Sequence, residues 1–272
     1  MTTSESVWID GTDLRDAGAG PFHALLRRIG DVARTADRRT IAASFAFRFG
    51  WSSVVAIAPY LQSRWVPDVA LDNVSFAFER STAYERARLH VVRGVVVAGD
   101  PRAADASMAT VPDADALRRA LRDGLVAQAT PMVAALERWS GFAARGTWGQ
   151  LTSAWASQFM AIVDPGDGQR GLVAELDAFF EGDDIVAAMR PRMHAVSVDG
   201  AIRLRQRRAS CCRIYLLPGG ELCTSCPLVG RDARSRTPAN PPTAVSNGVG
   251  DDSPGTATEG STWTDGRSSS SR

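Results

Sequence analysis

Helical periodicity dominates the first sixty residues and the middle of the chain. From Pro21 onward, Phe22, Leu25, Leu26 and Ile29 recur at the i, i+3, i+4, i+7 spacing of one helix face. Similar patterns predict further helices, one of them kinked or restarted by a Thr-Pro pair in its middle. The predicted ranges are 38–49, 52–64, 113–139, 148–163, 172–180 and 185–189.

Shorter stretches are β-rich, with Val and Phe in runs or in alternation. Val69–Phe78 and Ala87–Ala98 read as two strands that pair in a hairpin or small sheet. A third stretch, Val196–Leu204, is expected to turn at Asp199-Gly200 and lead into the cysteines. The predicted fold is therefore α+β and predominantly helical, with a small β-hairpin or sheet in the N-terminal half and a C-terminal cysteine-bound cluster module.

Composition separates a central domain from two end segments. Residues 1–20 are polar and are expected to be a flexible N-terminus, and 21–231 form the domain. Residues 232–272 are rich in Ser, Thr, Gly and Pro and poor in aliphatic side chains. Such a segment buries too little apolar surface to offset its ordering entropy, so a disordered tail is predicted.

Charge and hydropathy exclude several classes of function. The net charge is +1, which does not favour nucleic-acid binding, and all the basic side chains counted are arginines because the chain has no lysine. No continuous apolar run reaches the ~18 to 20 residues that a membrane span needs, so no transmembrane segment is predicted. The first twenty residues lack a basic start and an apolar core, which predicts a cytoplasmic protein without a secretory signal.

The four cysteines of the chain lie within one short segment. Cys211, Cys212, Cys223 and Cys226 have the spacing C-C-x10-C-x2-C. Four thiolates converging from one segment suit a tetrahedral sulfur site, which holds either zinc or an iron–sulfur cluster. Neighbouring side chains point in opposite directions on an extended chain, so Cys211 and Cys212 reach one site only if the backbone turns sharply. The turn residues 218–220, Pro-Gly-Gly, fold the second pair back toward the first.

Three kinds of cysteine site are compatible with this pattern. Disulfides suit small secreted chains rather than a chain of 272 residues with 44% hydrophobic residues. Zinc sites favour two to four residues between the members of each cysteine pair, and the adjacent Cys211 and Cys212 depart from that spacing. The residues alone leave zinc and iron–sulfur as alternatives.

The cysteine segment resembles the FhuF-type ferric siderophore reductases. The resemblance rests on the C-C-x10-C-x2-C spacing, the Pro-Gly-Gly in its gap and the Cys-Pro-Leu at its end, with a weaker likeness at Trp148-Gly149. It implies a [2Fe-2S] cluster bound by Cys211, Cys212, Cys223 and Cys226, a ferric-reductase-like domain at 21–231 and a cluster module at 203–231. No catalytic residue beyond the cluster is implied.

The implied activity is cytosolic reduction of a ferric siderophore, with the hydroxamate type as a candidate substrate, and release of Fe(II). The sequence has no P-loop, dinucleotide fingerprint or flavin motif, so an external donor protein or small reductant is expected to supply the electrons. The alternative function is a non-redox siderophore- or metal-binding protein with a structural zinc site of four cysteines.

A basic run precedes the cysteines. On an extended segment, Arg203, Arg205 and Arg207 share one face. This face is interpreted as a docking surface for an acidic electron donor or an anionic iron chelate. A solvated strand face without a partner is the alternative.

Overall fold

Helices and strands alternate along the chain in a computed structural model that describes residues 6–79, 82–163, 169–198 and 201–229. The helices of the described residues are α1 (Gly20–Ala33), α2 (Arg38–Gly50), α3 (Val54–Ser63), α4 (Ala114–Ser140), α5 (Ala144–Ile162), α6 (Gln169–Phe179) and α7 (Ile185–Ala188). The strands are β1 (Val7–Asp10), β2 (Trp65–Pro67), β3 (Val74–Phe78), β4 (Tyr84–Leu89), β5 (Gly94–Val97), β6 (Met108–Val111), β7 (Arg192–Val198) and β8 (Ala201–Arg207). The α+β, mainly helical fold is confirmed.

The helix pair α2 and α5 forms the centre of the core. Gly50 permits their close approach, because a Cβ atom there would lie 2.5 Å from the Cβ of Ala154. Phe45 and Phe49 of α2 stack at 5.7 Å, and Phe159 of α5 is fully buried. This pair matters for function because both helices also contact the cysteine segment, as described below.

Helix α4 is continuous, although a kink or restart at Pro131 was expected. Asp113 caps its first turn, accepting a hydrogen bond from the Ala116 N–H at 2.8 Å. Pro131 lies inside the helix, and Met132, Val133 and Leu136 beyond it are buried. Burial of this apolar face on both sides of the proline supports a single helix despite the lost backbone hydrogen bond.

The β-structure is divided into more strands than the sequence pattern predicted. The run 87–98 is split between β4 and β5, because the chain bends at 90–93. The antiparallel pairing of β3 with β4 confirms the predicted hairpin contact, and β1 pairs with the other edge of β3. Strand β5 belongs to a separate sheet of order β2-β5-β6, in which β5 and β6 are parallel. The predicted strand 69–78 begins only at Val74.

Residues 6–20, the described part of the N-terminal segment, correct the expectation of a flexible 1–20. Val7–Asp10 pairs with β3, and Ile9 and Leu14 are buried in the main core. Tertiary pairing with a central strand orders this segment, although its own pattern is too short and polar to predict a strand. The predicted disordered tail, 232–272, lies outside the described residues.

One stretch is long and apolar enough to cross a membrane by length and composition. It is Arg38–Ser63, which comprises α2, a short turn and α3, and 67% of the window that meets the criterion is buried inside the fold. This burial is the behaviour of core helices, since both helices pack against α5 rather than presenting a continuous apolar surface.

Candidate metal centre

The β7–β8 hairpin delivers the chain to the cysteines. Its residues pair antiparallel, with Met193, Leu204 and Gln206 on the face toward the core. Gln206 Nε2 donates a hydrogen bond to the Ser153 carbonyl oxygen of α5 at 2.8 Å. The predicted extended pair is therefore confirmed, and its turn at Asp199-Gly200 lies outside the described residues.

The backbone turns sharply after the adjacent cysteines, as their joint use requires. Arg213 has a left-handed conformation with φ of 62°, which is uncommon for a residue with a side chain. One turn of 3-10 helix, Ile214–Leu216, follows. Gly219 also has a positive φ, and the Gly220 N–H donates to the Leu217 carbonyl, so the Pro-Gly-Gly stretch forms the predicted turn.

The second cysteine pair lies in a tight loop that is bonded to the end of the hairpin. The Cys226 N–H donates to the Cys223 carbonyl oxygen at 2.9 Å. The Arg208 N–H donates to the Ser225 carbonyl oxygen at the same distance. These bonds connect the second cysteine pair to the chain that leads into the first pair.

Each cysteine sulfur accepts a hydrogen bond from the backbone N–H two residues further along the chain. The Arg213 N–H lies 3.3 Å from the Cys211 sulfur, and the Leu228 N–H lies 3.4 Å from the Cys226 sulfur. The N–H groups of Ile214 and Ser225 serve Cys212 and Cys223 in the same way. Backbone N–H donors stabilise thiolates, so this repeated pattern suits four metal-bound sulfurs.

Cysteine sulfurs from the two halves of the motif interact with one another. The Cys212 thiol hydrogen-bonds to Cys223, and Cys211 interacts with Cys226. The hydrogen bond from Cys212, helped by the charge of Arg208, lowers the pKa of Cys223 to about 5. The same contact and burial raise the pKa of Cys212. Cys212 and Cys226 are buried, whereas Cys211 and Cys223 are half-buried.

This donor set fits a two-iron cluster. A [2Fe-2S] cluster takes two thiolates on each iron, and this segment supplies four cysteines. Among the described residues, no group of three or more His, Cys, Asp or Glu side chains is arranged to hold one metal ion. The four cysteines would hold the cluster. The backbone N–H groups that donate to their sulfur atoms would keep doing so.

Helix α5 packs against the start of the cysteine segment and holds it through hydrogen bonds. The Ser210 hydroxyl donates to the Gly146 carbonyl oxygen at 2.7 Å and accepts from Gln150 Nε2 at 2.6 Å. Gly149 leaves the necessary room, because a Cβ atom there would lie 2.7 Å from the Ser210 side chain. Gly149 of the Trp-Gly pair therefore has a structural role beside the cysteine segment that the sequence did not indicate.

Helix α2 holds the other side of the segment. Arg213 donates to Thr40 Oγ1 at 3.2 Å and to Asp37 Oδ2 at 3.1 Å. Arg208 lies over the ring of Phe47, with 3.7 Å between the guanidinium carbon and the ring centroid. Its Nε is buried and has no hydrogen-bond partner among the described residues. Arg208 directly follows the three predicted docking arginines in the sequence, and nothing in the sequence indicates its contact with α2.

The three predicted docking arginines have different environments. They share one face of β8, with Arg203 and Arg205 exposed. Arg207 instead donates to the carbonyl oxygens of Pro227, at 2.7 Å, and Val229. It therefore anchors the end of the cysteine loop, and Arg192 lies opposite it on the exposed side of β7.

The comparison with protein families bears on this segment. Residues 208–228, which include all four cysteines, match the family model described as the FhuF 2Fe-2S C-terminal domain. This segment is similar to the FhuF-type 2Fe-2S C-terminal domain. The match supports FhuF-type family membership, and the cofactor that this domain implies is a [2Fe-2S] cluster. A search of curated proteins finds no match for the chain.

Proposed function

We propose that this protein is a cytoplasmic ferric siderophore reductase. In this proposal Cys211, Cys212, Cys223 and Cys226 hold a [2Fe-2S] cluster, from which single electrons pass to chelated Fe(III) so that Fe(II) is released. The observation that carries the proposal is the set of four convergent cysteine sulfurs, each with a backbone N–H donor, inside the FhuF-type match. When bound, the cluster supplies one-electron reduction.

The chemistry of the substrate makes reduction a release step. Siderophores hold Fe(III) through hard oxygen donors, and the larger, less charged Fe(II) ion binds such donors less tightly. The protein's contribution is to hold four thiolates in place and to stabilise their charge. Arg208 contributes a positive charge next to Cys212 and Cys223, which favours the more negative, reduced state of the centre.

Electrons reach this centre from outside the chain in our proposal. The sequence contains no dinucleotide or flavin fingerprint that would bind an organic electron carrier. Cys211 and Cys223 are only half-buried, so the site is close enough to the surface for exchange with an external donor and with the ferric chelate. Ferric hydroxamates are the first substrate class to test.

Rapid mixing tests the proposal. Protein purified and reduced without oxygen is mixed with a ferric hydroxamate, and the visible spectrum of the oxidised cluster is followed. The spectrum of the oxidised cluster should return rapidly with the ferric complex. It should not return with the gallium complex of the same chelator, which has the same charge and shape but accepts no electron. Equal spectra with both metals would contradict the proposal.

Metal analysis distinguishes the proposed reductase from the alternative function. A non-redox siderophore- or metal-binding protein with zinc would be colourless, would contain zinc and would lack acid-labile sulfide. The proposed reductase contains iron and sulfide in equal amounts, because each cluster has two of each. The FhuF-type match favours the two-iron assignment.

A further inference from the structure

Exposed apolar side chains are concentrated around the cysteines. Five of the eleven exposed large hydrophobic residues in the described part of the chain lie between 214 and 228. Their exposed fractions range from 38% to 54%. We call them the apolar rim: Ile214, Tyr215, Leu216, Leu222 and Leu228. Contiguous exposed apolar surface is uncommon on monomeric proteins and marks interaction sites.

The rim consists of turns rather than the walls of a cleft. Ile214, Tyr215 and Leu216 form one turn of 3-10 helix, and Leu222 follows the Gly220 turn that packs on the Ile214 carbonyl. Side chains that project from turns bury little area against a small polar chelate. They bury more against a second protein surface, where an apolar centre with a polar border is the usual arrangement.

Positive charge borders the apolar rim. Arg207 binds the carbonyl oxygens of Pro227 and Val229, on either side of Leu228, so the arginine face of the β7–β8 hairpin meets the rim there. Arg192, Arg203 and Arg205 are exposed on that face. The segment 192–229 contains six arginines but two acidic residues, although the whole chain has a net charge of only +1.

We infer that the apolar rim and the exposed arginines Arg192, Arg203 and Arg205 form the docking surface for a small acidic electron-carrier protein. The inference rests on the proposed function, since that function needs an external donor. In the exchange, the carrier loses one electron and is oxidised, and the cysteine centre gains that electron and is reduced. No bond is formed or broken.

Charge argues against two other occupants of this surface. A second copy of the chain would bring two positive surfaces together, which costs energy. The segment 231–272 has five arginines and five acidic residues, so it offers no net negative charge to this face. The positive border attracts an acidic partner and speeds its association at low ionic strength. Contacts of this kind are small and transient.

Titration of the full-length, cluster-containing protein with oxidised plant-type [2Fe-2S] ferredoxin tests the inference. The dissociation constant is measured by calorimetry at low and high salt. The double variant Arg203→Glu/Arg205→Glu is expected to weaken binding about tenfold at low salt and less at high salt. The double variant Leu216→Ser/Leu222→Ser is expected to weaken binding about tenfold at both salt concentrations, because it removes apolar area.

Matched variants elsewhere on the surface serve as controls. Val92→Ser changes a valine that is 63% exposed outside the rim, and Arg86→Glu reverses an arginine whose side chain is 60% exposed on β4. Neither should change the affinity for ferredoxin. Iron and sulfide contents equal to the parent protein confirm that each variant retains its centre. Ferredoxin affinity that is unchanged by both double variants, or reduced equally by the controls, overturns the inference.

The other occupants give distinct outcomes. Sedimentation that shows dimers, lost in Leu216→Ser/Leu222→Ser, overturns the inference in favour of self-association. Chemically reduced protein needs no carrier, so both double variants should react with ferric hydroxamate at the parental rate. Loss of that reaction would overturn carrier docking in favour of a chelate site. Ferredoxin binding by a parent protein that does not reduce ferric hydroxamate would support the docking surface while the proposed function fails.

Discussion

Arg208 lies over the ring of Phe47, with its guanidinium carbon 3.7 Å from the centre of the ring. The contact joins the residue that begins the cysteine segment to helix α2. It also fixes a positive charge that acts on Cys212 and Cys223. The stacking and the charge can be separated by substitution, which gives the first prediction.

Replacing Arg208 with glutamine should lower the midpoint potential of the centre. The reduced centre is the more negative state, and removal of a nearby positive charge destabilises it. We expect a shift of tens of millivolts, on the order of the ~59 mV that changes a one-electron equilibrium tenfold. Potentiometric titration followed by visible absorption measures the shift.

Two further variants identify the cause. Arg208→Lys keeps the charge and loses the planar stacking, so its potential should stay near the parental value. Arg203→Gln removes a charge from the exposed end of the same hairpin, where solvent screens it, and should shift the potential less. A potential in Arg208→Gln equal to that of the parent would show that this charge does not act on the centre.

Gly149 is predicted to be necessary for seating the cysteine segment on α5. In Gly149→Ala the added methyl would lie 2.7 Å from the Ser210 side chain and from the Met189 methyl group, so both must give way or the helix must shift. Overpacking of this kind costs about 1–3 kcal/mol. The variant should lose its visible cluster absorption at a lower temperature than the parent protein.

Gly171→Ala is the matched control, because it also changes a helical glycine but its added Cβ meets no atom within 4 Å. Alanine favours helix, so this variant should be neutral or more stable by about 0.5–1 kcal/mol. If the two alanine variants lose the cluster at the same temperature, Gly149 does not have the role described for it.

Elements with strong local signals could be predicted from the sequence, and those created by tertiary contacts could not. Helix α1 follows from its own apolar spacing, and the cysteine site follows from a motif contained in sixteen residues. Strand β1 forms because it pairs with β3, and the residues Val7–Asp10 alone do not indicate this pairing. The contact between Arg208 and Phe47 likewise depends on how the hairpin packs beside α2. The shared face of the three arginines on β8 was predicted. The hydrogen bond by which Arg207 holds the cysteine loop was not.

The pairing of Asp37 with Arg213 should stabilise the attachment of the cysteine segment to α2. The hydrogen bond from Thr40 and the contact with Arg213 hold the pKa of Asp37 below its ordinary value of 3.8, although burial opposes them. Asp37→Asn preserves the helix cap, because asparagine caps as well as aspartate, and removes the ion pair. We expect a loss of about 0–1 kcal/mol, as for other partly exposed pairs.

The pH dependence of that loss follows from the lowered pKa. The carboxylate's contribution is fully present above the ordinary value of 3.8 and disappears as the pH falls through the lower, folded-state value. The stability difference between Asp37→Asn and the parent should therefore be constant between pH ~5 and ~8 and should decrease with added salt. A difference that grows or shrinks across this pH range, measured by thermal unfolding, would contradict the assignment.

Cys223 and Ser225 provide a test of ligand assignment within one loop. Cys223→Ser should reduce iron and sulfide content strongly, because serine replaces a thiolate with a harder, less acidic oxygen donor. Ser225→Ala keeps the backbone N–H that serves the Cys223 sulfur and removes only a hydroxyl 3.7 Å away. Its cluster content should match the parent. Equal content in both variants, determined by iron and acid-labile sulfide analysis, would remove Cys223 from the ligand set.

The central claim is that an electron from the cysteine-bound centre reduces chelated Fe(III). Its most direct test is a count of the ferrous ions captured by an Fe(II)-specific chelator when anaerobically reduced protein meets excess ferric hydroxamate. We predict one captured Fe(II) for each cluster that is reoxidised, and none from protein that was not reduced. A centre that stays reduced while no Fe(II) is captured would contradict the claim.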